Sequence, residues 1–298
     1  MCIRDSLGIN PSNEKAFETD EVSKLIQYGT SDQTRSAIAE LISEGHFGDP
    51  GIKDSSLSMV KEQFQRFSDE QIAPGAQTWH RNDVLIPDAI ISQMSDLGVF
   101  GLTIPEEWGG VQLGKIAMCM VTEELCRGYL GVGSLATRTE IAADLILLHG
   151  TKAQKELWLG GLANGAILPT ALFTEPGTGS DLASVATQAH LSESNYLVTG
   201  AKTWSTHASR ADLMTMLVRT DSSKKGYEGV SLLMAPKPRG NDEDLFPAQG
   251  MSGSEIKVLG YRGMKEYEVA FSDFSVPKKY LLGGLEGQGF KQLMLSLI

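Results

Sequence analysis

At 298 residues, with 41% hydrophobic and 21% charged residues, the chain is long enough to bury a sizeable core and to hold more than one structural unit. A net charge of −11 argues against nucleic acid or an anionic membrane as the principal partner, while leaving room for one anionic ligand in a locally basic groove. Three cysteines and five scattered histidines have neither the number nor the spacing of a disulfide framework or a metal site, so no metal is expected.

Residues 1–6 fit poorly with the rest of the chain and read as a remnant of expression or sequence assembly. No apolar run approaches the ~20 residues of a membrane span. Asp5, Glu14, Glu18, Asp20 and Glu21 suit neither a secretory signal nor an acid-poor transit peptide, which points to a reducing, cytoplasmic setting. Residues 1–55 form a partly helical extension. Within it residues 32–43 predict a short helix with Ile38, Leu41 and Ile42 on one side, ended by Gly45 and the turn at residues 48–51.

From residue 56 to 165 the pattern is helical. Met59, Val60, Phe64 and Phe67 recur at three- and four-residue steps, as do Ile90, Ile91, Met94 and Leu97. A loop carrying Trp108 comes next. Then comes a helix over residues 115–126, whose Cys119 and Cys126 share a face and read as core residues. An unusually apolar helix over residues 132–148 is closed by Gly150.

Periodicity then shortens. Residues 166–173, 196–198, 202–206, 213–219, 229–235 and 266–271 read as strands, and Thr199-Gly200 as a hairpin turn. Residues 166–283 therefore predict a β-barrel or β-sandwich, which makes the whole an α+β chain. An amphipathic helix opens at Phe290, so residues 284–298 are expected to begin a further helical domain, and the chain to be a truncated protein.

The most informative stretch is residues 173–181, where Phe173, Thr174 and Glu175 lead into Pro176, Gly177, Thr178, Gly179, Ser180 and Asp181. Pro176 fixes φ, and Gly177 and Gly179 permit positive φ, so a tight turn is expected to expose amides beside the Thr174 and Ser180 hydroxyls. Such a surface suits flavin carbonyls or nucleotide phosphates. Taken alone, the segment is better explained as a Pro-Gly loop ending a strand.

Six blocks in order make the case broader. They are residues 102–110, residues 150–165, residues 174–181, residues 200–206, Arg219-Thr220-Asp221, and Phe271 with Val276-Pro277, Leu282-Gly283 and residues 287–291. Together they resemble the acyl-CoA dehydrogenase family over residues 56–298. The resemblance implies a helical domain, a β domain and a second helical domain, binding FAD and an acyl-CoA. It implies α-proton abstraction by a carboxylate with hydride transfer from the β carbon to flavin N5. Phe173, Thr174, Gly179, Ser180, Trp204, Ser205 and Thr206 are the flavin-binding candidates it implies, with Ser180 also touching the CoA portion.

The catalytic base implied by the resemblance lies beyond Ile298, and Glu123, Glu124 and Glu140 read as solvated or paired surface residues instead. Glu175 and Asp181 read as turn stabilisers. An electron-transferring flavoprotein as acceptor and a homo-dimer or tetramer are also implied. An acyl-CoA oxidase and a non-catalytic flavin- or CoA-binding fragment remain the competing readings.

Two departures narrow the substrate. Met264-Lys265-Glu266-Tyr267 replaces the family's small polar residues, and residues 252–256 read as an insertion. With the N-terminal extension and residues 136–141, these resemble the methylsuccinyl-CoA dehydrogenase subgroup. Arg138 interrupts the apolar helix, and Glu140, two residues on, faces elsewhere. A buried guanidinium needs an anion, which the distal carboxylate of a short dicarboxylic acyl chain supplies, with Thr137 or Thr139 assisting. The alternative is that Arg138 pairs with a protein carboxylate or reaches solvent.

Overall fold

Among the described residues the first segment holds two short helices, α1 (Asp20–Tyr28) and α2 (Asp32–Ser43). Ser31 caps α2 by accepting the Thr34 N–H, and the helix ends before Gly45 at φ 87°, as its sequence predicts. Its apolar residues Ile38, Leu41 and Ile42 stay about half exposed. The computed structural model describes residues 20–46, 48 and 54–296, in two compact units that divide between Ser58 and Met59. Residues 1–6 and most of the expected turn at 48–51 lie outside the described residues.

The division falls within α3 (Ser55–Phe67), which runs through a π turn at Ser68–Ile72 into α4 (Ala73–Arg81). After α5 (Asp88–Asp96) come α6 (Gly114–Gly128), α7 (Leu130–His149) and α8 (Lys152–Ala163). Phe64, Phe67, Ile90 and Met94, the periodic residues of the sequence, join Leu125, Val132 and Leu135 in one core. The buried face of α6 is Ala117, Met120, Val121, Glu124 and Leu125. That phase turns Cys119 outward and leaves Cys126 half-buried, so the expectation of two core cysteines fails.

Helix α7 is apolar nearly all round because it serves two cores. Its first half (Val132, Leu135, Ala136) packs among the helices. Its second half (Ala142, Ala143, Leu145, Ile146) packs with Trp158, Leu159 and Leu162 of α8 against the sheet. A capping box, with the Thr151 Oγ accepting the Gln154 N–H at 3.3 Å and Gln154 Oε1 accepting the Thr151 N–H at 3.0 Å, starts α8.

Seven strands complete the unit: β1 (Pro169–Leu172), β2 (Gln188–Ser192), β3 (Asn195–Lys202), β4 (Leu213–Arg219), β5 (Val230–Pro236), β6 (Met251–Ile256) and β7 (Glu266–Pro277). They form one mixed sheet in the order β1-β4-β2-β3-β7-β6, with β5 on the other side of β4. The sheet curls into half a barrel. Strand β4 is buried on both faces, Leu213 and Leu217 toward the helices, Met214, Met216 and Val218 toward the inner core. Helix α9 (Gly289–Ser296) packs Leu293 into the helix-facing cluster.

Two local expectations are overturned. Thr199 and Gly200 are not a hairpin turn but lie inside β3, at a register shift opposite β7. Gly200 has φ 150°, and a Cβ there would meet the Thr187 Cα at 2.7 Å, so glycine serves a bulge and a close approach. The turn joining β2 to β3 is at Glu193-Ser194. Residues 203–206 are not strand either, because Trp204 and His207 take left-handed conformations.

Candidate functional site

Strand β1 delivers Phe173 into the Pro-Gly turn. Glu175 and Thr178 exchange backbone hydrogen bonds of 2.8 and 3.0 Å, which closes it. Neither Gly177 nor Gly179 has positive φ, contrary to expectation. Their contribution is open space: a Cβ on Gly177 would meet nothing within 4 Å, and one on Gly179 only the Thr174 methyl at 4.0 Å. Asp181 caps the next turn, accepting from Ala183 N and Ser184 Oγ.

A buried ion pair holds this turn from beneath. The Glu175 carboxylate accepts from Ala186 N at 2.7 Å, Thr187 N at 2.9 Å and Lys202 Nζ at 2.8 Å. Lys202, fully enclosed at the end of β3, also donates to Leu217 O at 2.6 Å and to Phe173 O. Burial alone would raise the Glu175 carboxyl, but the Lys202 ammonium and the two amides outweigh it and hold it below the ordinary carboxylate range.

The loop after β3 is pinned at alternate residues. Thr203 N donates to Thr174 O at 2.9 Å, Ser205 N to Tyr267 O at 3.0 Å, and His207 N to Lys265 O at 2.9 Å. These bonds bring the loop against the turn and leave Trp204 to bridge them at φ 55°. A left-handed tryptophan costs on the order of 1–3 kcal/mol and needs surrounding structure to impose it. Its side chain is 56% exposed rather than packed in the β core.

Of the predicted flavin residues, Phe173 and Thr174 are half-buried, Gly179, Ser180 and Trp204 are exposed, and Ser205 and Thr206 are buried; the bond from Thr203 N to Thr174 O ties the two segments together. Ser205 Oγ has no hydrogen-bond partner. His207 is enclosed with neither ring nitrogen partnered, and burial beside Arg210, Arg239, Lys237 and Arg138 pushes its imidazole down to about 3.

Helix α7 brings Arg138 to the same place. Its Nη2 donates to Thr206 Oγ1 at 3.1 Å and to the Tyr261 hydroxyl at 3.5 Å. Thr206 Oγ1 in turn donates to Glu266 Oε1 at 2.7 Å. Among the described residues no carboxylate lies within 4 Å of Arg138, so the direct ion pair allowed by the sequence does not form. Thr137 gives its hydroxyl proton to Ser134 O at 2.8 Å, whereas Thr139 Oγ1 is buried with no partner. Glu140 pairs with Lys115 at 2.6 Å, and Glu124, buried rather than on the surface, pairs with Arg127 at 2.9 Å.

Sequence reasoning missed Glu266, Lys202 and His207 as members of this corner. Lys202 lies within the 200–206 block, but nothing in its neighbours gives it a task. Glu266 had a signal, the unusual Met264–Tyr267 run, which bears on the subgroup and does not by itself place a charge.

Comparison with known proteins bears on the family and the fold. Residues 54–166 match the family model "Acyl-CoA dehydrogenase, N-terminal domain" and residues 170–274 match "Acyl-CoA dehydrogenase, middle domain". The chain is 54% identical to the (2S)-methylsuccinyl-CoA dehydrogenase of Cereibacter sphaeroides over 92% of this chain and 51% of that protein. A solved acyl-CoA dehydrogenase from Geobacillus kaustophilus is similar with TM-score 0.74 and 28% identity, covering 84% of this chain and 63% of that one. A glutaryl-coenzyme A dehydrogenase in complex with glutaryl-CoA is similar with TM-score 0.75 and 27% identity, over 84% and 61%. The chain spans about half the length of the curated relatives it matches.

Proposed function

The chain belongs to the acyl-CoA dehydrogenase family, and we propose that the protein it represents dehydrogenates a short dicarboxylic acyl-CoA thioester, methylsuccinyl-CoA, between its α and β carbons. FAD, when bound, supplies the acceptor for the hydride that leaves the β carbon. The site fits that group: the space above Gly177 and Gly179 is open, and Trp204 is held outward in a strained conformation beside it. Phe173, Thr174, Gly179, Ser180, Trp204, Ser205 and Thr206 are the residues assigned to hold it, Ser180 also meeting the CoA portion. The α proton is assigned to none of Glu123, Glu124 or Glu140, of which the first is solvated and the others are engaged by basic partners. Electron delivery to an electron-transferring flavoprotein, a homo-oligomer and a cytoplasmic setting complete the reading.

The observation that carries the substrate class is Arg138. It is a half-buried guanidinium in an apolar helix, bonded to two hydroxyls and, among the described residues, to no carboxylate. An uncompensated cation beside the flavin candidates is a receptor for a distal carboxylate. The identity to a methylsuccinyl-CoA dehydrogenase and the likeness to a glutaryl-CoA complex support the same class.

The test is Arg138→Ala in the full-length, FAD-loaded protein. Losing charge-assisted hydrogen bonds of ~1.5–3 kcal/mol should lower kcat/KM for methylsuccinyl-CoA by roughly 10- to 150-fold. The rate with 2-methylbutyryl-CoA, which lacks the carboxylate, should be spared. An unchanged kcat/KM for methylsuccinyl-CoA refutes the assignment.

A further inference from the structure

The Thr206 hydroxyl lies between a cation and an acid. It accepts from Arg138 and donates to Glu266, so the two charges are linked through one oxygen without touching. Glu266 is 4% exposed, and its second oxygen, Oε2, has no hydrogen-bond partner and no solvent. An ionised carboxylate would leave that oxygen's charge unanswered, which a buried site tolerates poorly, whereas a neutral acid leaves only one unpaired hydroxyl. Burial also drives the Glu266 carboxyl upward, against the opposing pull of Thr206 and Arg138.

We propose that Glu266 sets the charge that Arg138 presents to the second carboxylate of the substrate. Held as a neutral acid, it leaves the positive charge of Arg138 available to the second carboxylate of the substrate, and where it is ionised, binding of that carboxylate takes up a proton at Glu266. This rests on the substrate reading above and adds to it a positioning residue and a pH dependence. An ionised Glu266 and a ligand carboxylate compete for the same guanidinium through the same hydroxyl. Affinity for the dicarboxylic chain therefore falls as pH rises through the Glu266 titration, and affinity for a neutral acyl chain does not.

The other titratable groups facing this corner do not reproduce that profile. Arg138, from α7, is the cation that both carboxylates address. Tyr261, from the segment between β6 and β7, is raised by burial and so stays neutral. His207, from the loop after β3, is already neutral above about 3. Just before the strand Lys265 is paired with Glu255, and on it the Tyr267 hydroxyl is pushed by burial to about 12.

The experiment is calorimetric titration of the full-length, FAD-loaded protein with the thioether analogue of methylsuccinyl-CoA, in which a methylene replaces the carbonyl and oxidation cannot start. Buffers of different ionisation heat count the protons exchanged. Wild type should take up as much as about one proton per ligand on the alkaline side of the Glu266 titration, and none with the 2-methylbutyryl analogue. Glu266→Gln, a fixed neutral mimic, should bind the carboxylated ligand with no proton uptake and with an affinity that no longer falls with pH.

No proton uptake by wild type at any pH where the protein is folded overturns the proposal, and needs no variant to read. Retention of the wild-type proton count by Glu266→Gln overturns it as well. Loss of turnover with both acyl chains alike in Glu266→Gln would make Glu266 the α-proton acceptor and overturn it in that direction. Arg138→Met separates the layers: unchanged affinity for the carboxylated ligand sinks the substrate reading and this proposal together. A large loss there, with no proton uptake in wild type, sinks this proposal alone.

Discussion

Beneath the Pro-Gly turn, Glu175 and Lys202 are answered from every direction, by two amides, two carbonyls and each other. A short way off, where α7 meets the loop after β3, Arg138, Ser205, His207 and Glu266 keep unused hydrogen-bonding capacity. The first set is closed and the second is open, although both are buried and polar. The contrast teaches how to sort such groups: those that hold a backbone shape have saturated partners, and those left unsaturated inside a site are where a ligand's polar atoms can be received.

The contrast breaks most visibly if the closed set is opened. Lys202→Met leaves Glu175 as a lone buried charge and should cost about 3–5 kcal/mol in denaturant unfolding, with loss of FAD binding. A cost below ~1 kcal/mol would mean the pair is not what shapes the turn. Its acid limb carries the same sign. Because the folded Glu175 carboxyl titrates below its ordinary 4.5, its stabilisation is complete above that value and is lost as pH falls through the folded value. The variant should lack that component in an acid-unfolding curve.

A control on the closed side is more modest. Thr151→Ala removes half of a capping box remote from the open corner and should cost about 1 kcal/mol in thermal unfolding. The FAD absorbance of the purified protein should be unchanged. Altered FAD content would mean that stability and ligand capacity are not separable here.

The smallest effect on stability should come from the open side. Trp204→Gly trades an exposed ring for relief of a left-handed conformation, so stability should change by less than ~1 kcal/mol in either direction while FAD binding weakens. A loss above ~2 kcal/mol would show that the ring is a packing element and not a platform.

Much of this molecule is legible in its residues alone. Helix α2 carries its cap and stop signals, and β4 its β-branched and long apolar residues, so both appear where the pattern puts them. The weak, polar strand β6 escapes such reading, since it is mostly exposed and is held along its length by pairing with β7. Gly200 misleads because a glycine after threonine looks the same at a bulge as at a hairpin. Trp204 stands out in the sequence as a candidate ligand residue but not as strained, because backbone bonds from its neighbours to Tyr267, Lys265 and Thr174 impose its conformation. Glu266 could not be placed beside Arg138 at all, since 128 positions separate them and only folding closes that distance.

The double duty of α7 has a consequence for how the protein comes apart. One rod is keyed into the helical core at its start and into the sheet-facing core at its end, with Arg138 near the midpoint. Neither core can melt without exposing part of the same rod. Hydrogen-exchange protection along Leu130–His149 should accordingly collapse in a single step rather than from one end, and the arginine should keep its station until that step.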